Sequence, residues 1–162
     1  IPKRDWSSDV CSSDLTQIGS TGIYCYESAD LNISNSIVNW SDYESLYLGY
    51  CNAINSSNLI LNSNYDNGIY MYYSDNNVFE NNNLTALDSS DGVYFYESSY
   101  NNFTNNRILA TDFALFLSSS SEENIFLHNS LIYNLFFCKY LLIYITQNSC
   151  IIDKKTFNDN DA

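Results

Sequence analysis

Asp88 and Asp91 are the side chains of this sequence best suited to acid–base or metal chemistry. They lie three residues apart in the segment DSSDG, where two carboxylates could bind calcium or act as general acid and base. Aspartate, serine and glycine are also the residues that turns favour, so the segment predicts a turn ending at Gly92. The sequence therefore predicts no catalytic residue, no metal site and no cofactor, with calcium at Asp88 and Asp91 as the alternative.

Other reactive side chains are few and scattered. His128 is the only histidine, and Arg107 is the only basic residue between the first fifteen residues and Asn134. The cysteines form no Cys-x-x-Cys pair, and no histidine lies at a metal-ligand spacing, so a zinc site is not indicated. We interpret His128 and Arg107 as solvated surface residues, with a copper or proton-transfer role of His128 as the alternative.

Aromatic residues recur at regular intervals and offer a different kind of chemistry. If they share one outward surface, they could stack on sugar rings, since each tyrosine has an apolar ring and a polar tip. Alternatively, they could stack on one another and stabilise a sheet. The first set comprises Tyr24, Tyr47, Tyr70, Tyr94 and Phe116, and the second comprises Tyr26, Tyr72 and Tyr96.

The elements that position these residues are repeats. Residues 68–88 match residues 92–112 at ten of 21 positions after a shift of 24 residues. A period of this size is typical of a solenoid. Within each repeat apolar and aromatic residues alternate, as in GIYMY and GVYFY, which predicts strands.

Matching positions of stacked turns should form files along the axis, spaced by about 4.8 Å. We expect two interior files and a buried ladder of asparagine side chains at a bend, where amides can bond to neighbouring turns. The first interior file comprises Ile23, Leu46, Ile69, Val93 and Leu115, and the second comprises Cys25, Leu48, Met71, Phe95, Leu117 and Cys138. The ladder comprises Asn35, Asn58, Asn82, Asn106 and Asn129.

The predicted fold is all-β, a parallel β-helix of about five to six turns with 22–24 residues per turn. In this fold Cys25 and Cys138 are small core residues. They would lie five turns apart, about 24 Å, which is beyond the reach of a disulfide. No disulfide is therefore predicted.

The motifs G-[IV]-Y-x-Y and F-x-x-N, between Gly22 and about Asn134, resemble those of right-handed parallel β-helix proteins of the pectate-lyase-like superfamily. The Asn-rich NosD-like surface proteins are especially similar. The resemblance implies the right-handed fold, whereas function varies widely within it. Resemblance to the lyases of this superfamily would imply calcium bound by aspartates and an Arg or Lys base. Resemblance to its hydrolases would imply a cluster of three aspartates. The copper association of NosD-like proteins would imply a His/Met cluster, which this sequence does not contain.

The charge limits the partners of the chain. A net charge of −13 disfavours nucleic acid and anionic lipid, both of which need basic residues. The apolar run LFFCKYLLIYIT is short for a membrane span and contains Lys139. Expected partners are a polysaccharide, a surface glycan or further β-helix turns of a parent protein, and the expected location is secreted or cell-surface.

Three segments are expected along the chain. Residues 1–15 contain RDWSSDVCSSDL, which resembles a translated sequencing adapter and is interpreted as a non-native leader, the alternative being a true cap. Residues 16–134 hold the β-helix repeats. Residues 135–162 are interpreted as degenerate or truncated final turns, with a corrupted reading frame or a membrane segment as alternatives. The chain is therefore expected to be a fragment of a longer solenoid.

Three functions are compatible with this fold. The first is a non-catalytic extracellular module, structural or adhesive, that binds glycans through its aromatic stripe. The alternative is part of a polysaccharide lyase or glycoside hydrolase whose catalytic turns lie elsewhere, and the third is a NosD-like accessory protein that handles metal. A carboxylate cluster beside a cleft would favour the enzyme, and a smooth stack with aromatic files would favour the module.

Overall fold

Strands make up all the regular secondary structure that the structure describes. The computed structural model describes residues 14–16, 19–118 and 120–133, which contain sixteen β-strands and no helix. The strands form three parallel sheets, and each turn of the chain adds one strand to each sheet in succession. The prediction of an all-β parallel solenoid is confirmed, with about five turns in these residues.

Each sheet takes every third strand of the chain. Sheet 3 begins with β1 (Asp14–Thr16) and continues with β4 (Ile37–Ser41), β7 (Ile60–Ser63), β10 (Asn83–Ala86), β13 (Arg107–Ala110) and β16 (Ser130–Tyr133). Sheet 1 contains β2 (Ile23–Tyr26), β5 (Leu46–Gly49), β8 (Ile69–Tyr72), β11 (Val93–Tyr96) and β14 (Leu115–Ser118). Sheet 2 contains β3 (Asn32–Ser34), β6 (Asn55–Ser57), β9 (Val78–Glu80), β12 (Asn102–Thr104) and β15 (Ile125–Leu127).

Pairing in sheet 1 follows the register that the repeats predict. Ile69 pairs with Leu46 in the preceding turn and with Val93 in the following turn. The same register places Met71 between Leu48 and Phe95. These side chains point into the solenoid and are fully buried. Cys138, which was expected to extend this second file, lies outside the described residues.

Sheets 2 and 3 complete the core. Phe79 and Phe103 stack with their ring centroids 4.3 Å apart, and Phe103 lies 5.4 Å from Phe126. Leu84 and Ile108 of sheet 3 are fully buried against them in the same cluster. Burying each such side chain contributes roughly 1.5–3 kcal/mol, so the core stabilises the stack of turns along its length.

The start of the described chain overlaps the segment interpreted as a leader. Strand β1 includes Asp14 and Leu15, and it pairs in parallel with β4. Leu15 is partly buried and packs against the core. These two residues are therefore part of the solenoid. Residues 1–13 and 135–162 lie outside the described chain.

Asn82, Asn106 and Asn129 form a buried ladder at the bend between sheets 2 and 3. The amide N–H of Asn82 donates to Oδ1 of Asn106 at 2.9 Å, and that of Asn106 donates to Oδ1 of Asn129 at 2.8 Å. Each Nδ2 group donates to a backbone carbonyl, as Asn106 does to Phe79 at 2.9 Å. Since buried backbone groups must be paired, these side chains satisfy amides that the bend removes from the sheets.

Asn35 and Asn58 do not belong to this ladder, which corrects the predicted register. Both are exposed, have positive φ angles of 51° and 54°, and lie one position before the ladder. The ladder position in their turns is held by Ser36 and Leu59, and the amide of Leu59 donates to Asn82. Asparagine tolerates the left-handed conformation better than most residues. An asparagine in a bend can therefore be either a buried ladder residue or an exposed residue with a positive φ.

A second buried asparagine ladder, which the sequence analysis did not identify, occupies the bend between sheets 1 and 2. Asn77 accepts the amide N–H of Ile54 at 2.9 Å, and its own amide donates to Asn101 at 2.9 Å. Asn101 in turn donates to Asn124 at 2.9 Å. A serine ladder runs beside it and comprises Ser74, Ser98 and Ser121.

Replacing Asn106 by alanine should destabilise the protein by about 3 kcal/mol, because the Asn82 amide and the Phe79 carbonyl lose their buried partner. Asn83→Ala is the matched control, since Asn83 is exposed and lies next to the ladder; its effect should stay within about 0.5 kcal/mol. Urea unfolding followed by circular dichroism measures both. Equal destabilisation by the two variants would show that the ladder adds no stability.

Candidate binding face

The first aromatic file lies on the outer side of sheet 1. Strand register places Tyr24, Tyr47, Tyr70, Tyr94 and Phe116 at equivalent positions of successive turns. Successive ring centroids are 4.8, 5.5, 5.1 and 4.9 Å apart. These are contact distances for aromatic pairs, so the rings form one continuous row across five turns.

A second file runs beside the first. Tyr72 and Tyr96 stack with their centroids 5.3 Å apart, and Tyr26 occupies the equivalent position two turns before Tyr72. Gly49 holds the file position in the intervening turn. A Cβ atom there would come within 2.8 Å of the Tyr47 ring and 2.9 Å of the Tyr26 ring, so the absence of a side chain lets both rings lie close to the strand.

Tyr50 and Tyr73 complete this surface, and the sequence analysis missed both. Tyr50 contacts Tyr26 at 5.5 Å and Tyr72 at 5.4 Å, and its ring stacks on Tyr73 at 5.3 Å. Each directly follows a strand of sheet 1 and has a positive φ, 54° for Tyr50 and 46° for Tyr73. Strict alternation would put these residues on the other side of the sheet, but a left-handed residue at the strand end interrupts alternation.

We refer to these ten residues together as the tyrosine face. Tyr24, Tyr26 and Tyr50 are the most exposed, at 63%, 45% and 41%. The other rings are half-buried by their neighbours. The face comprises Tyr24, Tyr26, Tyr47, Tyr50, Tyr70, Tyr72, Tyr73, Tyr94, Tyr96 and Phe116.

Carboxylates surround the tyrosine face and influence its phenols. Burial, followed by neighbouring tyrosines and Glu44, raises the pKa of Tyr47 to about 12. A hydrogen bond with Glu97 raises the pKa of Tyr73 to about 12. A hydrogen bond with Tyr72 is the largest cause of the raised pKa of Tyr50, and Glu27 adds a smaller contribution. The face therefore places phenol hydroxyl groups beside carboxyl groups.

The two candidate calcium ligands occupy different environments. Asp88 is exposed, whereas Asp91 is half-buried and accepts the amide N–H of Phe113 at 3.1 Å. Burial raises the pKa of Asp91 to about 6, and the charges of Asp112 and Asp66 on neighbouring turns add to this rise. In the described part of the chain, no group of three or more His, Cys, Asp or Glu side chains is arranged to hold a metal ion.

The remaining charged candidates lie on the surface. Arg107 is exposed, and its guanidinium donates to Oδ1 of Asn83 in the preceding turn at 3.3 Å. His128 is exposed and has a positive φ of 54°, immediately before the ladder residue Asn129. Neither side chain belongs to the tyrosine face.

Asp91→Asn should stabilise the protein at pH 7 by about 1 kcal/mol, since it removes a disfavoured charge and keeps an oxygen acceptor for Phe113. The full pKa shift would correspond to a larger stabilisation, but solvent screens the charge of a half-buried carboxylate and reduces the effect. Because the pKa is raised in the folded state, wild-type stability falls as pH rises from about 4 to 6, and the variant's advantage should shrink as pH is lowered.

The exposed neighbour Asp88 provides the control for that experiment. Asp88→Asn suits the left-handed φ of 58°, and because Asp88 is exposed, the variant should differ from the wild type by no more than about 0.5 kcal/mol. Thermal melts of the wild type and both variants between about pH 4 and 7 make the measurement. A stability gain for Asp91→Asn that does not depend on pH would contradict the titration argument.

Comparison with known proteins identifies a family. Residues 6–161 match the family model described as "Periplasmic copper-binding protein (NosD)". No curated protein and no solved structure matches the chain significantly. Among the described residues, none forms a helix long and apolar enough to cross a bilayer.

The family's description raises the question of whether the described residues suit copper. Copper prefers thiolate, thioether and imidazole ligands. Met71 is fully buried in the core, His128 is exposed, and the two described cysteines, Cys25 and Cys51, are buried without a third ligand. The described residues therefore do not fit a copper centre.

Family membership rests on the extent of the match together with the fold. The matched segment leaves out only the first five residues and the last one. It includes all sixteen described strands. The resemblance in the repeat motifs had predicted the parallel solenoid that these strands form. The chain belongs to the NosD family.

Proposed function

We propose that this chain is a non-catalytic module of the periplasm or cell surface that binds a neutral polysaccharide or glycan through its tyrosine face. The observation that carries the proposal is the continuous surface of ten aromatic rings across five turns. Soluble proteins seldom expose so extended an aromatic surface without a binding role. The periplasmic description of the family supports the location.

The composition of the tyrosine face suits carbohydrate. Aromatic rings offer apolar surface to the C–H groups of a sugar, and phenol hydroxyls can donate and accept hydrogen bonds. Glu44 and Glu97 lie close enough to influence the phenols, and their carboxylates can accept hydrogen bonds from sugar hydroxyls. A row of rings repeated once per turn suits a polymer that repeats a ring along its own axis.

Charge selects among polysaccharides. The chain carries a net charge of −13, and the acidic side chains Glu27, Glu44 and Glu97 surround the face itself. A polyuronate or sulfated polymer would meet electrostatic repulsion there. We therefore infer that the ligand is neutral.

A hydrolytic role is the alternative, and one observation favours it. Asp91 has its pKa raised to about 6, which suits a general acid, and it is influenced by carboxylates on both neighbouring turns. If the chain is a binding module, we expect that it releases no reducing ends from neutral polysaccharides. Release by the wild type that disappears in Asp91→Asn would contradict the non-catalytic proposal and support a glycoside hydrolase.

Tyr70→Ala/Tyr94→Ala should weaken binding to a neutral polysaccharide by about tenfold or more. It removes two central rings, each worth roughly 0.5–1.5 kcal/mol in contacts. A glycan array identifies the ligand, and affinity electrophoresis of the full chain then compares neutral polymers with polyuronates. Circular dichroism shows whether the fold is retained.

Tyr43→Ala/Tyr65→Ala is the matched control for the loss of two tyrosines. Both residues are exposed, at 56% and 66%, and lie in bends outside the tyrosine face. Binding should be unaffected by this pair. Equal weakening by both double variants, or tighter binding to polyuronates than to neutral polymers, would refute the assignment.

A further inference from the structure

Two cysteines interrupt the files in which they lie. Cys25 occupies the inner file of sheet 1, where the next two turns have Leu48 and Met71. Cys51 lies in the bend after sheet 1, at the position where the next turn has Ser74, whose hydroxyl accepts the amide N–H of Cys51 at 3.0 Å. Both departures from the repeat occur in adjacent turns, which suggests a shared cause.

The two sulfurs are in contact. Sγ of Cys25 lies 2.8 Å from Sγ of Cys51, and both residues are buried, with exposures of 6% and 0%. The spacing of 26 residues equals one turn of 23 plus the three residues that separate Leu48 from Cys51. Cys51 therefore reaches back over its own strand to the preceding turn. Sequence analysis considered only cysteines in equivalent positions and missed this pair.

We propose that Cys25 and Cys51 form an intramolecular disulfide that joins the first two complete turns of the solenoid. A disulfide has an S–S length of about 2.05 Å, so the sulfurs need to approach by only about 0.8 Å. The family is described as periplasmic, and disulfides form and persist in that compartment.

The oxidant is a disulfide of an oxidoreductase or of a small thiol. One cysteine thiolate attacks a sulfur of that disulfide, which breaks its S–S bond and releases one thiolate. The second cysteine, after losing its proton, attacks the mixed disulfide and releases the other thiolate. The protein loses two electrons and two protons, and the oxidant becomes two thiols. Because both sulfurs are buried in the finished solenoid, we place this exchange during assembly of the turns.

A hydrogen bond joins the two sulfurs of the reduced pair, and either thiol could be its donor. A hydrogen bond with Cys25 lowers the pKa of Cys51 to about 7, and the same contact together with burial raises the pKa of Cys25. A metal ion between the sulfurs fits less well, since two bonds of about 2.3 Å at a tetrahedral angle separate the sulfurs by about 3.8 Å.

The cross-link would have a consequence for the tyrosine face. Cys25 lies between Tyr24 and Tyr26 in β2, so a bond to the next turn fixes the strand that carries two of the most exposed rings. It closes a loop of one whole turn, from residue 25 to residue 51. The inference does not depend on carbohydrate binding, because it concerns the covalent state of the chain.

Peptide mapping of the full chain, exported to a bacterial periplasm and alkylated without reduction, tests the proposal. We expect a linked peptide that joins Cys25 to Cys51, about 2 Da lighter than its reduced halves. Reduction should lower the melting temperature by about 10 °C. Cys51→Ser restores the serine of the neighbouring turns, so it should fold and its melting temperature should not respond to reductant.

Cys11→Ser is the control for loss of a thiol, and it should keep both the linked peptide and the response to reductant. Alkylation of Cys25 and Cys51 as free thiols, after exposure to oxidised glutathione during refolding, would overturn the proposal. So would pairing of either residue with Cys138 or Cys150, or a copper adduct that holds both as thiolates.

Discussion

Parallel pairing between strands exactly one turn apart is the constraint on which the rest of this structure depends. Turns repeat at the strand spacing of about 4.8 Å, so each residue has a neighbour at the equivalent position above and below. Val93, for example, pairs with Ile69 and Leu115. A side chain suits its position only if it packs against its own counterparts. Aliphatic and aromatic files satisfy that condition, and so do amides, which can donate to one turn and accept from the other.

The bends are where this constraint is most demanding. The strands of one turn run in three directions, so the backbone leaves the sheets three times per turn. At the bends after sheet 1 and after sheet 2, buried amides donate to asparagine side chains instead of to a strand. Asn77, Asn101, Asn82 and Asn106 supply the missing partners, and their Nδ2 groups reach carbonyls of the preceding turn. The buried asparagines of this chain therefore have a structural reason inside the solenoid.

Side chains on the outer side of sheet 1 do not have to satisfy buried backbone groups. This surface can therefore carry residues that serve a function. Tyrosines on sheet 1 stabilise each other through ring contacts while they remain partly exposed. In the proposed function, stability and glycan binding would draw on one set of side chains. Burial together with neighbouring tyrosines and Glu44 raises the pKa of Tyr47, and a hydrogen bond with Glu97 raises the pKa of Tyr73. The Cys25–Cys51 contact lies directly beneath this face and would hold its first strand in place.

The sequence by itself determined the period, the strands, the inner files and the first row of rings, because alternation and repeat length depend only on residue types along the chain. The tertiary structure decided which asparagines are buried, that Tyr50 joins the aromatic surface, and that Cys51 meets Cys25. All three depend on bends, where residues such as Asn58 and Tyr50 adopt a positive φ. Their side chains then lie on the side opposite to the one that strict alternation predicts. Residue type alone does not determine that conformation, since packing between turns selects it.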